Sequence, residues 1–257
     1  IATDRRVYFG SSADDSVRCL DLENGEVLWT FTADGPIRIA PCFSYGKLYF
    51  GSDDGNAYCL NADNGAMVWK VHAAQLAGGD SAEGPERSRL IMNNGRGIPY
   101  WPVRSGVTVV DDIAYFAASM LPWKESYLCA VDAATGERTS DKHYIETLSG
   151  QTMEGAMAVS PNRLVVPQGR VAPVLFSRSD GSSLGSLKGG GGCFVVVSPA
   201  GSVFHGPGNK TGWITSSEAK TRETIATYEG GNVLCLDGDE SVLLTNKYLA
   251  ATNYREK

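Results

Sequence analysis

The chain repeats itself. Val7-Tyr8-Phe9-Gly10-Ser11, followed by Arg18-Cys19-Leu20-Asp21, returns about 40 residues on as Leu48-Tyr49-Phe50-Gly51-Ser52, followed by Tyr58-Cys59-Leu60-Asn61. Each copy carries the same tail, running from Asp21 through Gly25 to Trp29 and from Asn61 through Gly65 to Trp69. A third copy is Ala114-Tyr115-Phe116 with Leu128-Cys129-Ala130-Val131-Asp132 and Gly136. Later copies are weaker: Val159-Ser160-Pro161 recurs as Val197-Ser198-Pro199, and Tyr127 to Asp132 is echoed by Tyr248 to Asn253. A unit of this size cannot bury its apolar faces alone, so neighbouring units must supply one another's core.

Each unit parses as four short strands split by turn residues. In the second unit they are expected over 38–44, 47–52, 56–61 and 66–71, divided at Tyr45-Gly46, Asp53-Asp54-Gly55 and Asp63-Asn64-Gly65. Four strands per roughly 40 residues is the size of a propeller blade. The expected fold is therefore all-β, a β-propeller of four-stranded antiparallel blades. In the tail, Asp21, Asn61 and Asp132 open a turn whose backbone N–H groups they accept from, and Gly25, Gly65 and Gly136 supply its positive φ. Trp29 and Trp69 on the outermost strand are expected to pack against the adjoining blade. The 30 glycines among 257 residues are then largely turn residues, and the 20% of charged residues fits sheets buried on both faces.

At these residues the chain resembles the pyrroloquinoline-quinone-type propeller repeat, found in quinoprotein dehydrogenases and in the lipoprotein of the outer-membrane β-barrel assembly machinery. The likeness is strongest over residues 6–71 and 106–137. It then decays: Ser140 stands where Trp is expected, Ser177 and Gly181 keep only the turn, and the unit near 200–228 does not align through its tail. The resemblance implies a ring of seven or eight blades, a bacterial-type protein and a periplasmic or cell-envelope setting, although residues 1–6 show no signal-peptide pattern. About six units are present as one domain over 1–257, the first short of an inner strand and the last of an outer one. That leads to the expectation that further blades or domains of the same polypeptide complete it.

The resemblance also implies what a catalytic member should carry: a quinone on a Trp floor, a ring of two adjacent cysteines, and Glu, Asn and Asp around calcium. No adjacent cysteines occur. Asn93, Asn94 and Glu154 are the oxygen donors open to recruitment by calcium, but nothing in their spacing fixes a site. Cys19 and Cys59 hold equivalent positions in units about 10 Å apart, too far for a disulfide, and read as buried filler. His72, His143 and His205 show no metal or triad spacing, and no G-x-S-x-G nucleophile elbow is present. Gly189 to Gly192 reads as a flexible blade connection, and Asn209-Lys210-Thr211 is a bare glycosylation sequon.

The formal net charge of −6 argues against nucleic acid, whose binding rests on Lys and Arg replacing counterions, and no apolar run is long enough to span a membrane as a helix. One departure from the period stands out: an insertion over 75–104 between the second and third blades. Its Arg96, Tyr100, Trp101 and Arg104 are residue types enriched at binding hot spots. By blade topology it shares one mouth of the funnel with Arg38, Gln151 and Glu154. The expectation is a non-catalytic scaffold, binding a protein, peptide or carbohydrate there without a cofactor. The alternative is a quinoprotein oxidoreductase with a divergent or partial site, using the quinone and calcium.

Overall fold

The computed structural model describes residues 1–78, 90–192, 194–207, 212–238 and 240–253. The sequon and Cys193 lie outside them. Two compact units emerge, Ile1–Met153 and Glu154–Lys257.

The first unit holds three blade sheets and a two-stranded hairpin sheet. β1 (Arg6–Ser11), β2 (Ser16–Asp21) and β3 (Val27–Thr32) form a three-stranded sheet in that order. β4 (Cys42–Ser44), β5 (Lys47–Gly51), β6 (Asn56–Asn61) and β7 (Met67–His72) form a complete blade. After the short helix α1 (Ala73–Leu76), β8 (Leu90–Asn93) and β9 (Arg96–Pro99) make a hairpin. β10 (Val107–Val110), β11 (Ile113–Ala118), β12 (Ser126–Asp132) and β13 (Tyr144–Leu148) form the third blade.

The second unit continues the pattern. β14 (Ala158–Val159), β15 (Arg163–Ser177) and β16 (Ser183–Ser186) are joined by β17 (Gly190–Gly192), which pairs with β15. β18 (Phe194–Val197), β19 (Ser202–Gly206), β20 (Trp213–Glu218) and β21 (Thr224–Glu229) form the fifth sheet. The last is β22 (Gly231–Asp237), β23 (Glu240–Thr245) and β24 (Leu249–Asn253). All ladders are antiparallel, as hairpin-connected strands require. Six of the seven sheets are the expected blades, the first and last with three strands each among the described residues.

The core lies between neighbouring sheets. Tyr8, Val17 and Cys19 pack with Leu48, Phe50 and Tyr58 of the next blade, and Tyr49, Cys59 and Trp69 pack with Val103, Ala114 and Phe116 of the one after. The repeat's tail is the joint. Asp21 Oδ1 accepts from the amides of Glu23 (2.9 Å) and Asn24 (3.2 Å), and Gly25 N–H donates to Asp21 O at 3.0 Å. Asn61 and Asp132 do the same in the next two blades. Trp29 then reaches across to the following blade, where its indole N–H donates to Ala62 O at 3.1 Å and the Tyr8 hydroxyl donates to that same oxygen at 3.2 Å. Trp69 and Tyr49 repeat this on Ala133 O at 3.0 and 3.1 Å. The Trp29 ring lies on Gly65: a Cβ there would stand 2.7 Å from Cε3, and φ of +72° separately disfavours any other residue. The tail glycine thus serves the turn and the neighbour's indole at once.

Several sequence expectations are corrected. The inner strand expected over 38–44 starts at Cys42, because Arg38 is drawn into an ion pair and Pro36 and Pro41 lack ladder donors. In the third blade residues 137–143 form a loop in which His143 Nδ1 accepts from the Thr139 amide at 3.0 Å. The strand resumes with Tyr144 opposite Ala130, the register that Trp69 holds opposite Cys59, so Tyr144 and not Ser140 takes the Trp position. Gly189 to Gly192 is no flexible connection. Three of the four glycines form β17, and a Cβ on Gly191 would stand 2.4 Å from the backbone of Gly169 and Arg170. The tail of the fifth unit exists but is disguised: Glu218 replaces Asp, accepting from the Lys220 (2.9 Å) and Thr221 (2.6 Å) amides, and Arg222 holds the glycine's place at φ +65°. Cys19, Cys42, Cys59, Cys129 and Cys235 are free thiols, and burial pushes Cys59 up to about 11.

Candidate functional site

One end of the first unit gathers most of the singled-out side chains. Asp53, on the hairpin between β5 and β6, is buried to 1% exposure and carries two guanidinium groups. Arg104 grips it with two bonds of 2.8 Å, Nε to Oδ1 and Nη2 to Oδ2. Arg38 approaches from the other side, with Nε at 2.8 Å and Nη2 at 2.7 Å from Oδ2. The two arginines come from successive blade-to-blade connections, which run over this end because each leaves an outer strand and enters an inner one. Desolvation opposes ionisation of Asp53, and the hydrogen bonds from Arg104 and Arg38 outweigh it, holding the carboxyl below its usual range.

The members of this cluster differ in access. The Arg104 side chain is 9% exposed and the Arg38 side chain 35%. Two cations on one buried anion leave a net positive charge, and Arg38 presents it to solvent. Asp53 was legible in the sequence only as a turn residue. The signal for its role is an Asp directly after the repeat's Gly-Ser, with an arginine in each flanking connection.

The insertion settles beside this cluster. The Asn94-Gly95 pair, at φ +50° and +79°, closes β8 and β9 as a two-residue hairpin turn, so Asn93 and Asn94 serve a hairpin. Arg96 Nη1 bonds Asp15 Oδ2 at 2.5 Å, tying that hairpin to the loop between β1 and β2. Trp101 is buried, donates its indole N–H to Glu125 O at 2.8 Å and meets Tyr127 edge to face at 5.7 Å. Tyr100 is half-buried, with Lys124 Nζ 5.4 Å from its ring centre. Val103 crosses so close to Gly51 that a Cβ there would stand 2.4 Å from Val103 O, the reason the Tyr-Phe-Gly motif ends in Gly. Gln151 is half-buried in the first unit, whereas Glu154 belongs to the second, where it is exposed and bridges to Gln168. Next to the Asp53 hairpin a cleft of about 500 Å³ is lined by Asp34, Asp54, Lys70 and His72.

Among the described residues no three His, Cys, Asp or Glu side chains are grouped as metal ligands, and no helix is long and apolar enough to cross a membrane. Chemically, the mouth offers a fixed cation, a second exposed arginine and an aromatic face.

Residues 1–98 match the family model described as outer membrane protein assembly factor BamB. No curated protein matches the chain in sequence. Among solved structures, BamB from Moraxella catarrhalis is similar with a TM-score of 0.68 at 15% identity, over 98% of this chain and 70% of that one. The computationally designed Ika8 protein gives 0.63 at 13%, over 98% and 69%. Quinohemoprotein alcohol dehydrogenase from Comamonas testosteroni gives 0.63 at 14%, over 91% of this chain but 42% of that enzyme. Identities this low establish the fold alone.

Proposed function

We propose that this chain, a β-propeller whose residues 1–98 match an assembly-factor family model, is a non-catalytic scaffold of the pyrroloquinoline-quinone-like repeat type, binding a protein partner in the cell envelope through the mouth of its first unit. The observation that carries the reading is the Arg38–Asp53–Arg104 cluster. A buried carboxylate fixes the geometry of an exposed guanidinium, which suits recognition of an acidic group on a partner. The similarity of residues 1–98 to an assembly factor supports a protein as partner over a small substrate. Arg96, Tyr100 and Lys124 extend the contact surface, while Trp101 and Arg104 hold it in shape. The reading includes no cofactor.

A photo-crosslinking amino acid at position 38, with position 28 on the outer strand as control, tests this in cells. A discrete protein adduct at 38, absent at 28 and lost in Arg96→Glu, is the expected result. Calorimetric titration of purified protein with the quinone and calcium is the counter-test. Tight 1:1 uptake would replace the scaffold by the oxidoreductase alternative, which the likeness to a quinohemoprotein alcohol dehydrogenase keeps as the competing reading.

A further inference from the structure

Between the fourth and fifth sheets lies a cleft of about 330 Å³ whose walls include Arg163, Val165, Ala219 and Lys220. Its position is defined by the repeat. Val159 opposite Leu164 and Ala158 opposite Val165 reproduce Phe43 opposite Leu48 and Cys42 opposite Tyr49, so Val165 holds the place of Tyr49 and, one blade earlier, of Tyr8. Leu175 opposite Gly185, with the same bulge after it, reproduces Cys59 opposite Trp69, so Gly185 holds the Trp place. Ala219 follows Glu218 as Ala62 follows Asn61. In the first unit a Tyr hydroxyl and a Trp indole both donate to that alanine carbonyl. Here Val165 and Gly185 have no donor to offer it.

The indole's space is partly reclaimed. The guanidinium of Arg222 lies directly against Gly185, where any side chain would collide with it. The phenol's space is not reclaimed, and the cleft occupies it. The rim is more positive as well. Arg6 pairs with Asp63 in the first unit at 2.5 Å. The corresponding residues here are Arg163 and Lys220. Glu218 lines the same cleft, its carboxyl held below the usual range by the Lys220 and Thr221 amides and by the charge of Arg163, so two cations face one carboxylate.

We propose that this cleft binds an aromatic ring bearing a hydrogen-bond donor and a carboxylate on the same edge, the ring taking the place of the missing tyrosine, its donor meeting Ala219 O, and the carboxylate lying beside it between Arg163 and Lys220, as Arg6 and the Tyr8 hydroxyl share Ala62 O in the first unit. Apolar vacancies of this kind take up aromatic guests in place of a deleted side chain. Valines 165, 197 and 203 supply the apolar wall. The site is separate from the mouth of the first unit and does not depend on the function proposed for it.

Ligand-detected NMR titration with 3-hydroxybenzoate tests it. Expected is saturable binding, weakened about tenfold when the hydroxyl is removed (benzoate) and about tenfold when the carboxylate is removed (phenol), the effect of one hydrogen bond or ion pair each. Val165→Tyr should abolish binding and raise the unfolding midpoint of the second unit, as a filled vacancy would. Lys220→Glu, at an exposed position, should weaken binding with the midpoint unchanged. No binding up to about 10 mM, affinity unchanged in both variants, or a lowered midpoint in Val165→Tyr would each overturn the proposal.

Discussion

The joint between the first two blades and the joint between the fourth and fifth share one strand register and opposite side chains. Both place a bulge after the residue that faces the Trp position, and both close the receiving tail with the same two amides on one side chain, Asn61 in the first and Glu218 in the second. In the first, a large ring from one blade lies on a glycine of the next, Trp29 on Gly65. In the second, the glycine is on the donating blade and the large side chain on the receiving one, Gly185 under Arg222. In each arrangement one partner is a glycine at positive φ, Gly65 at +72° and Gly185 at +88°. What the backbone does not supply is the second ring, and where Tyr becomes Val the joint opens into a cleft.

The two units should therefore respond differently to damage. Removing the ring in Trp69→Ala should cost the first unit about 3–5 kcal/mol, as for buried aromatic truncations generally, whereas Gly185→Ala in the second should cost less, through the left-handed backbone at φ +88° and the displacement of Arg222. Chemical denaturation with amide-exchange readout of each unit separates the two. Asp53→Ala leaves two guanidinium groups without their buried anion and is expected to cost a similar 3–5 kcal/mol, with the loss confined to the first unit.

Acid sharpens the contrast. His205 is buried, and its ring pKa is held down to about 4 by desolvation, against the raising effect of its Nδ1 contact with Gly190 O at 3.1 Å. Its folded value lies below the unfolded value of about 6.5, so the unfolded chain binds more protons between the two. Stability from this group is full above about pH 6.5 and falls as pH drops toward 4, by about 2–3 kcal/mol near pH 4.5. Asp53, lowered instead, keeps its contribution until pH falls below the ordinary carboxylate range. Amide exchange at pH 7 and pH 4.5 should show the second unit loosening first, and His205→Gln should flatten that dependence. Smaller still, Asp21→Ala removes two turn acceptors at an exposed tail and should cost about 1 kcal/mol without altering either joint.

The blade pattern was legible because its residues each answer a local demand: Asn61 opens a turn, Gly65 takes a positive φ, Trp69 ends the strand. Where two residues trade places across a joint, no local demand is visible. Arg222 in a glycine's conformation and Gly185 in tryptophan's register each look like decay of the repeat, and only their juxtaposition shows compensation. Tyr144 was hidden by a loop that shifts the count by four residues. Arg38 and Arg104 were marked by position and type, but their shared anion, Asp53, read as one more turn residue, because nothing in the sequence says which way a turn aspartate points.

The rule that joins the blades is open to a double-mutant cycle at the fourth and fifth sheets. Gly185→Trp alone should destabilise the second unit, since φ of +88° disfavours any side chain there and the indole also collides with Arg222, and Arg222→Gly alone should lose the packing over Gly185. Together they restore ring over glycine. The left-handed backbone at 185, φ +88°, costs Gly185→Trp and the double variant alike, so the expected result is that the pair is more stable than Gly185→Trp alone, with a favourable coupling energy of at least about 1 kcal/mol. Additive losses in the double variant would contradict the account, and the two joints would then not be versions of one design.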